Sequence, residues 1–565
     1  MRVRATVLVL ALVLAAAMPS GATSLDLLTA QAASQAAAES SVAIEHLANL
    51  KHRLADGTEL GGGGSDLEFV ELDVSGLQEE DGADTEDETL AGGDATETLA
   101  ADGELAGAGT PGKGKGKGKG RDKPKKDIRR FALAGTIDLP DINAGLQIID
   151  ITDPAVPVPV AVWDCRVSQG DIQVFTREVE GVTRTYVGYG ADYSAVRDSA
   201  CFEDLRAMGR DPGNGLGTWF VDITNPYEPV TAGFAAIGTG SHNLTIHPSG
   251  DYLYNSSNRI TAAVGALEIV DISDLANPQP LPSLDLGTGI DAHDVTFNAD
   301  GTRAYVAAVN HTLIVDTTDP AAPEIIGRVI NAAATIHHQS DPVTIDHPVL
   351  GERTFLVITD EFGGAAGNAF CPGGGLIIYD ITGDLETAPV FVGAWFIPQV
   401  EPLAPSQRAG RGSLGVVSAC TSHVLRFHPE EAIMTIGWYS AGVRVVDLSS
   451  LVGVSVGAVP ELGDTGQSGV GMRELGYFYF DDSNAWSAKT PEITVDEDGS
   501  RSFYLYANDI QRGFDVFHFD ESAGSATADP GTWMSPAQYT AYKAALPGGD
   551  GGLQPWCALR AVQQG

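Results

Sequence analysis

Four histidines recur in similar settings along the chain: Gly240-Ser-His242-Asn, Asp291-Ala-His293-Asp, Ile336-His337-His338 and Thr421-Ser-His423. Each opens a short run with strand character, as in His293-Asp-Val-Thr-Phe297. A neutral imidazole offers one nitrogen lone pair, and a set of them on one centre suits zinc, copper, iron or nickel. If the fold brings the four runs side by side, His242, His293, His338 and His423 could converge on one transition-metal ion such as copper, iron or zinc. Asp294 and Asp341 are then the candidate acceptors that orient the rings. The alternative is structural: each ring bonds the backbone or a turn residue of its own unit, with Asn243 and Asp294 as local partners. The chain has no H-E-x-x-H, G-x-S-x-G, Walker A or EF-hand pattern, so no catalytic residue is assigned and enzymatic activity stays open.

Whether the histidines meet depends on the elements that carry them. One pattern recurs after Ile128. Leu146-Gln-Ile-Ile-Asp150, Trp219-Phe-Val-Asp222, Leu267-Glu-Ile-Val-Asp271, Leu313-Ile-Val-Asp316, Leu376-Ile-Ile-Tyr-Asp380 and Val443-Arg-Val-Val-Asp447 are six copies. Phe514-Asp-Val-Phe-His518 is a degenerate seventh, with His518 in the aspartate's place. Each is a β-branched run suited to a strand covered on both faces. The closing aspartate can form an Asx-turn, and a proline often follows. Hairpins such as His293–Phe297 with Arg303–Val306 precede the copies, which gives four antiparallel strands per unit. A strand-rich repeat at intervals of 45 to 72 residues predicts an all-β propeller of about seven four-stranded blades, alternatively six. The first copy lacks a clear inner hairpin, so Phe131–Ile137 is read as an outer strand closing the last blade. Residues 190–217, with Cys201, are read as a long loop of the second blade.

From about Phe131 to Phe519 the chain resembles the LVIVD-repeat proteins, a family of secreted or surface β-propellers. The resemblance implies the fold and leaves the activity open, because propellers host unrelated functions. The histidine placement is similar, in arrangement only, to the His-lined channels of carotenoid oxygenases and selenium-binding proteins.

The flanks set the context. Arg2 and Arg4, the apolar run Thr6–Ala17 and the small residues Ser20-Gly21-Ala22 read as a signal peptide over 1–22, hence a secreted protein. Residues 23–54 suggest a short helix. Residues 55–127 read as a disordered linker, acidic first and then basic through Lys113-Gly-Lys-Gly-Lys-Gly-Lys119. That basic run could contact an anionic cell envelope. The propeller is placed at 128–520, with a C-terminal tail over 521–565 packed on it. Five cysteines in an oxidising compartment predict disulfides, Cys165–Cys201 and Cys371–Cys420, with Cys557 left over.

Composition narrows the partners. Lys and Arg total 34 against 75 Asp and Glu, a net charge of −41, which disfavours nucleic acid. No stretch is long and apolar enough for a transmembrane helix. Two functions remain: a propeller scaffold that binds an unidentified protein or glycan, or a metal-dependent enzyme with histidines in the central channel.

Overall fold

The computed structural model describes residues 38–77, 126–137, 144–257, 265–347, 351–361, 374–398, 420–451, 471–524 and 531–545, apart from positions 194, 289, 332, 335 and 450. The signal-peptide segment, most of the linker with its Lys-Gly run, Cys371 and Cys557 lie outside the described residues.

Seven antiparallel sheets, each following the last along the chain, make a seven-bladed propeller. From the hub outward, blade 1 is Gly64–Asp73, Ile128–Thr136, Leu146–Asp150 and Val158–Trp163. Blade 2 is Ile172–Val179, Val182–Ala191, Gly217–Asp222 and Val230–Ala236. Blade 3 is Asn243–Ile246, Tyr252–Ser256 and Gly265–Asp271, with Gln279–Pro280 and Leu284–Gly287 sharing the rim. Blade 4 is Asp294–Phe297, Arg303–Ala308, His311–Asp316 and Glu324–Ile330. Blade 5 is His337–His347, Gly351–Asp360, Leu376–Asp380 and Val390–Phe396. Blade 6 is Leu425–His428, Ile433–Gly437, Val443–Asp447 and Arg473–Phe480. Blade 7 is Ala485–Lys489, Arg501–Asp509 and Gly513–Asp520, closed at its rim by Ile44–Leu50.

Every repeat copy is the third strand of its blade, and the reason is visible in its neighbours. These runs are covered on both faces: all five residues of Leu376–Asp380 are buried. Apolar side chains from facing sheets interdigitate to form the core between blades, as Phe175 and Phe220 of blade 2 do with Leu244, Leu253 and Val270 of blade 3. The closing aspartate then accepts the backbone N–H two residues on. Asp150, Asp222, Asp271, Asp316 and Asp380 do this at 2.8–3.0 Å. Asp447 does so at 3.3 Å. In blade 7 the strand runs two residues past His518, and Asp520 makes the turn onto Ser522 at 2.9 Å. Asp520, not His518, is the equivalent of the repeat aspartate.

The ends of the chain close the ring differently from the sequence expectation. Phe131–Ile137 is not the closing strand; Ile128–Thr136 is the second strand of blade 1 and pairs with Gly64–Asp73. The inner strand lies before the acidic and basic run, which is inserted into the first hairpin. Closure comes from Ile44–Leu50, antiparallel to Gly513–Asp520, while Ala38–Ser40 adds a fifth strand to blade 6. The helix expected within 23–54 and the linker expected from 55 are therefore, in their described parts, strand and blade. Their apolar residues find partners only across the whole length of the chain: Ile44 packs with Phe519, and Leu67 with Phe514. Gly135 and Gly170 allow blades 1 and 2 to touch; a Cβ on Gly135 would sit 1.9 Å from the Gly170 carbonyl oxygen.

The insert 190–217 of blade 2 contains the helix Ala200–Ala207. Its Cys201 is bonded to Cys165 beyond the rim of blade 1. Cys420 is buried and disulfide-bonded. Beyond blade 7, Thr532–Met534 adds to the rim of blade 5 and the helix Pro536–Ala545 packs beside it. Among the described residues no helix is long and apolar enough to cross a membrane.

His52 follows the closing strand and is buried against the Asn508 amide oxygen at 2.8 Å. Burial, with Lys51 nearby, pulls its pKa from the usual 6.5 to about 4 despite that bond. The unfolded chain therefore takes up a proton between pH 6.5 and 4 that the folded chain refuses. Stability falls as pH drops through that window, by up to ~3 kcal/mol from this residue. His52→Gln should make the acid loss shallower over that range, measured by denaturant midpoints at several pH values; an unchanged slope would contradict the assignment.

Candidate metal centre at the hub

The propeller places the four histidines at the same end of consecutive inner strands. His242 and His293 immediately precede the inner strands of blades 3 and 4, His338 is the second residue of that of blade 5, and His423 lies two residues before that of blade 6. Their rings form an unbroken arc: His242 to His293 is 4.8 Å between centroids, His293 to His338 4.3 Å, and His338 to His423 4.1 Å. The arc continues through Trp486 of blade 7, 4.4 Å from His423. Gln169, before blade 2, approaches His242 at the other end. All four rings are at most 3% exposed. His337, the neighbour of His338, bonds Thr312 instead, at 2.7 Å.

Hydrogen bonds at the rear of the rings fix their tautomers. A carbonyl oxygen only accepts, so a neutral imidazole bonded to one must carry its proton on that nitrogen. His293 Nδ1 donates to the His338 carbonyl at 2.9 Å, and His423 Nδ1 to the Trp486 carbonyl at 2.7 Å. His242 Nδ1 lies 2.9 Å from the Asp192 carboxylate. In these three rings the lone pair is left on Nε2. Burial pushes the pKa of His293 and His338 well below the usual histidine value, and that of His423 to about 3, helped in each by neighbouring imidazoles. The buried Nδ1 of His338 and Nε2 of His423 have no hydrogen-bond partner. Buried polar atoms left this way are uncommon and ask for an explanation.

Two residues not foreseen from the sequence complete the site. Glu361, fully buried, follows the second strand of blade 5. One donor atom each from His293, His338 and Glu361 lie within 4.8 Å of one another, the one such set among the described residues. Tyr439 of blade 6 donates its hydroxyl to Glu361 Oε1 at 2.7 Å and stacks 4.4 Å from His423. Glu361 Oε1 is 3.8 Å from His423 Nε2. The signal for Glu361 and Asp192 was available: in an antiparallel hairpin, the end of the second strand meets the start of the first. Each of these acids is the residue just past a second strand.

Asp294 and Asp341 do not hold the rings. Asp294 accepts from the Val295 backbone N–H, and Asp341 from Thr296 and Gln339. Asp294 is close enough to Asp341 and to Asp171 for their charges to interact. Burial raises all three carboxyls, Asp171 and Asp294 strongly and Asp341 to about 6, and the neighbouring acids add to this for Asp171 and Asp294. Asp66 and Glu68 of blade 1 share Lys489 of blade 7, at 2.7 and 3.0 Å. Burial opposes ionisation of Glu68, but Arg426 and Lys489 overcome it and hold the group at about 2. Removing one member of a buried pair costs ~3–5 kcal/mol. Lys489→Met should lose stability on that scale and Asp66→Asn added to it should recover part; chemical denaturation measures both, and additive losses would contradict the pairing.

The fold and hub define a seven-bladed β-propeller with a histidine-lined centre. Residues 140–163, 245–283 and 291–331 match the LVIVD repeat model, so three stretches of this propeller carry LVIVD repeats. Comparison with curated proteins gives no match. Among solved structures the chain is similar to the Cps50 (Swd1) β-propeller domain of Myceliophteria thermophila, at 10% identity over 69% of this chain and 92% of that one, TM-score 0.34. A protein from Lactobacillus plantarum is similar at 9% identity over 71% and 98%, TM-score 0.40. The periplasmic gluconolactonase PpgL of Pseudomonas aeruginosa is similar at 12% over 59% and 78%, TM-score 0.30. Likenesses this distant carry no argument about activity.

Proposed function

We propose that this propeller is a metal-binding protein whose hub holds one first-row transition-metal ion on His293, His338 and Glu361, with His423 beside them. The observation that supports it is the set of rear bonds of His242, His293 and His423, which leave the lone pair of each of these rings on Nε2. Metal-binding histidines characteristically donate their other ring N–H to a carbonyl or carboxylate, and His242, His293 and His423 are held in that way. Two imidazoles and one carboxylate suit iron, zinc or copper, and leave positions for water or a substrate. Bonds of ~2 Å hold two donors at most about 4 Å apart, so a set spread over up to 4.8 Å must draw together by roughly 1 Å on binding. Export, expected from residues 1–22, would expose the site to extracytoplasmic metal.

The scaffold reading needs only the toroid and its loops. It expects the hub histidines to be packing residues, without affinity for ions. Metal content of untagged protein, followed by Co²⁺ titration of the chelator-treated protein, separates the two. Wild-type protein should bind one equivalent. Loss of an outer partner of a metal ligand costs ~10–100-fold in affinity, so His338→Ala, which removes a ligand, should cost at least that. Wild-type protein that takes up no transition metal would leave the scaffold.

A further inference from the structure

The C-terminal helix Pro536–Ala545 reaches the hub through two side chains, and both end on the same buried carboxylate. Lys543 Nζ lies 2.6 Å and the Tyr539 hydroxyl 2.5 Å from Asp360 Oδ2. Asp360 and Tyr539 are fully buried, and the Lys543 side chain is 6% exposed. A lysine buried this far from bulk water needs a reason, because desolvation alone is costly.

Asp360 stands where three ligand-bearing segments meet. It is the residue before Glu361. Its Oδ1 accepts the Ile336 backbone N–H at 3.0 Å, two residues before His338. Its carbonyl accepts the hydroxyls of Thr421 at 3.0 Å and Ser422 at 3.4 Å, the two residues before His423. Its own N–H donates to the Gly375 carbonyl at 2.9 Å. One residue thus joins the approaches to His338, Glu361 and His423, and Lys543 is its ion-pair partner.

We infer that Lys543 and Tyr539 are positioning residues for the hub, so that its affinity for a transition metal depends on the C-terminal helix being docked. The inference rests on the metal-binding reading above. Neither side chain is a ligand. They hold Asp360 where it sets the spacing of His338, Glu361 and His423, and a donor set that must draw together to bind one ion is sensitive to that spacing. The segment that tunes the centre is thus the last described part of the chain, laid on blade 5 from outside the ring.

Co²⁺ is the probe, because its visible spectrum reports ligand geometry as well as occupancy. Full-length protein is compared with Lys543→Met, Lys543→Arg, Tyr539→Phe and Arg501→Met. Arg501 pairs with Asp447 and Glu521 at the opposite end of a blade 7 strand, and its loss destabilises without touching Asp360. Lys543→Met should weaken Co²⁺ binding by ~10–100-fold and alter the spectrum. Lys543→Arg should restore most of both, and Arg501→Met should leave both near wild type. Tyr539→Phe, which removes one hydroxyl, should shift affinity in the same direction and carries the comparison if Lys543→Met does not fold. Wild-type affinity and spectrum in Lys543→Met and Tyr539→Phe would overturn the inference while leaving the metal centre standing. Equal weakening by Arg501→Met would overturn it as well, by reducing the effect to general instability. A wild-type protein that binds no Co²⁺ would overturn the centre and this inference together.

Discussion

The structure depends on a girdle of hydrogen bonds that ties each inner strand to the next blade. Ser65 of blade 1 donates to Gly170 at the start of blade 2. Asp171 of blade 2 accepts from the Leu244 backbone of blade 3. Asn243 and Thr245 donate to the His293 and Val295 carbonyls of blade 4. Thr296 bonds Asp341 of blade 5, and Gln339 both donates to and accepts from the Leu425 backbone of blade 6. His423 donates to Trp486 of blade 7, and Ser487 returns to the Ser65 carbonyl. Strands converging at a hub turn unpaired backbone groups toward each other, and buried groups of this kind must find partners. Side chains from the neighbouring blade supply them, so the polar residues of the inner strands are determined by the next blade rather than by their own.

That constraint explains why the ring closes through both ends of the chain. A circle of sheets leaves no free edge only if first and last blades are stitched together. The stretch Ile44–Leu50 completes the rim of blade 7, and the same segment runs on into Gly64–Asp73 at the hub of blade 1. Asn508 of blade 7 then donates to the carbonyls of Asp66 and Gly135 and accepts from His52. The closure is therefore polar at the centre and apolar outside, where Leu67, Phe514 and Val516 pack together.

The parts of this architecture that could be read from the sequence are those encoded within one repeat. A β-branched run ending in aspartate signals a doubly covered strand and its Asx-turn, and six copies carry it plainly. The seventh was misplaced by two residues because Phe517–Asp520 keeps the strand pattern past His518. Blade 1 was illegible for a different reason. Its inner strand is separated from its partner by the acidic and basic insert, and Glu68, Glu71 and Asp73 within it resemble the linker they adjoin. Glu68 pairs with Lys489 and Arg426, and Glu71 with Arg130, all far away in the sequence. The histidines of the hub were legible because strand starts repeat; Glu361 needs the further step of pairing each strand start with the end of the second strand, and Tyr439 lies two residues past such an end.

The hub histidines also show why a structural and a metal-binding role need not be rivals. If they served only their own blades, as turn residues do, each ring would bond within its own sheet. The rings bond across blades instead: His293 to blade 5, His423 to blade 7, and His242 to Asp192 at the end of a blade 2 strand. A serine or asparagine could make such a link at lower cost of burial, as Ser65 and Asn243 do elsewhere in the girdle. An imidazole adds something those residues lack, a second nitrogen held rigidly on the far side of the ring. The bond that staples one blade to the next is the bond that fixes the tautomer, so the propeller's closure itself aims the lone pairs at the hub.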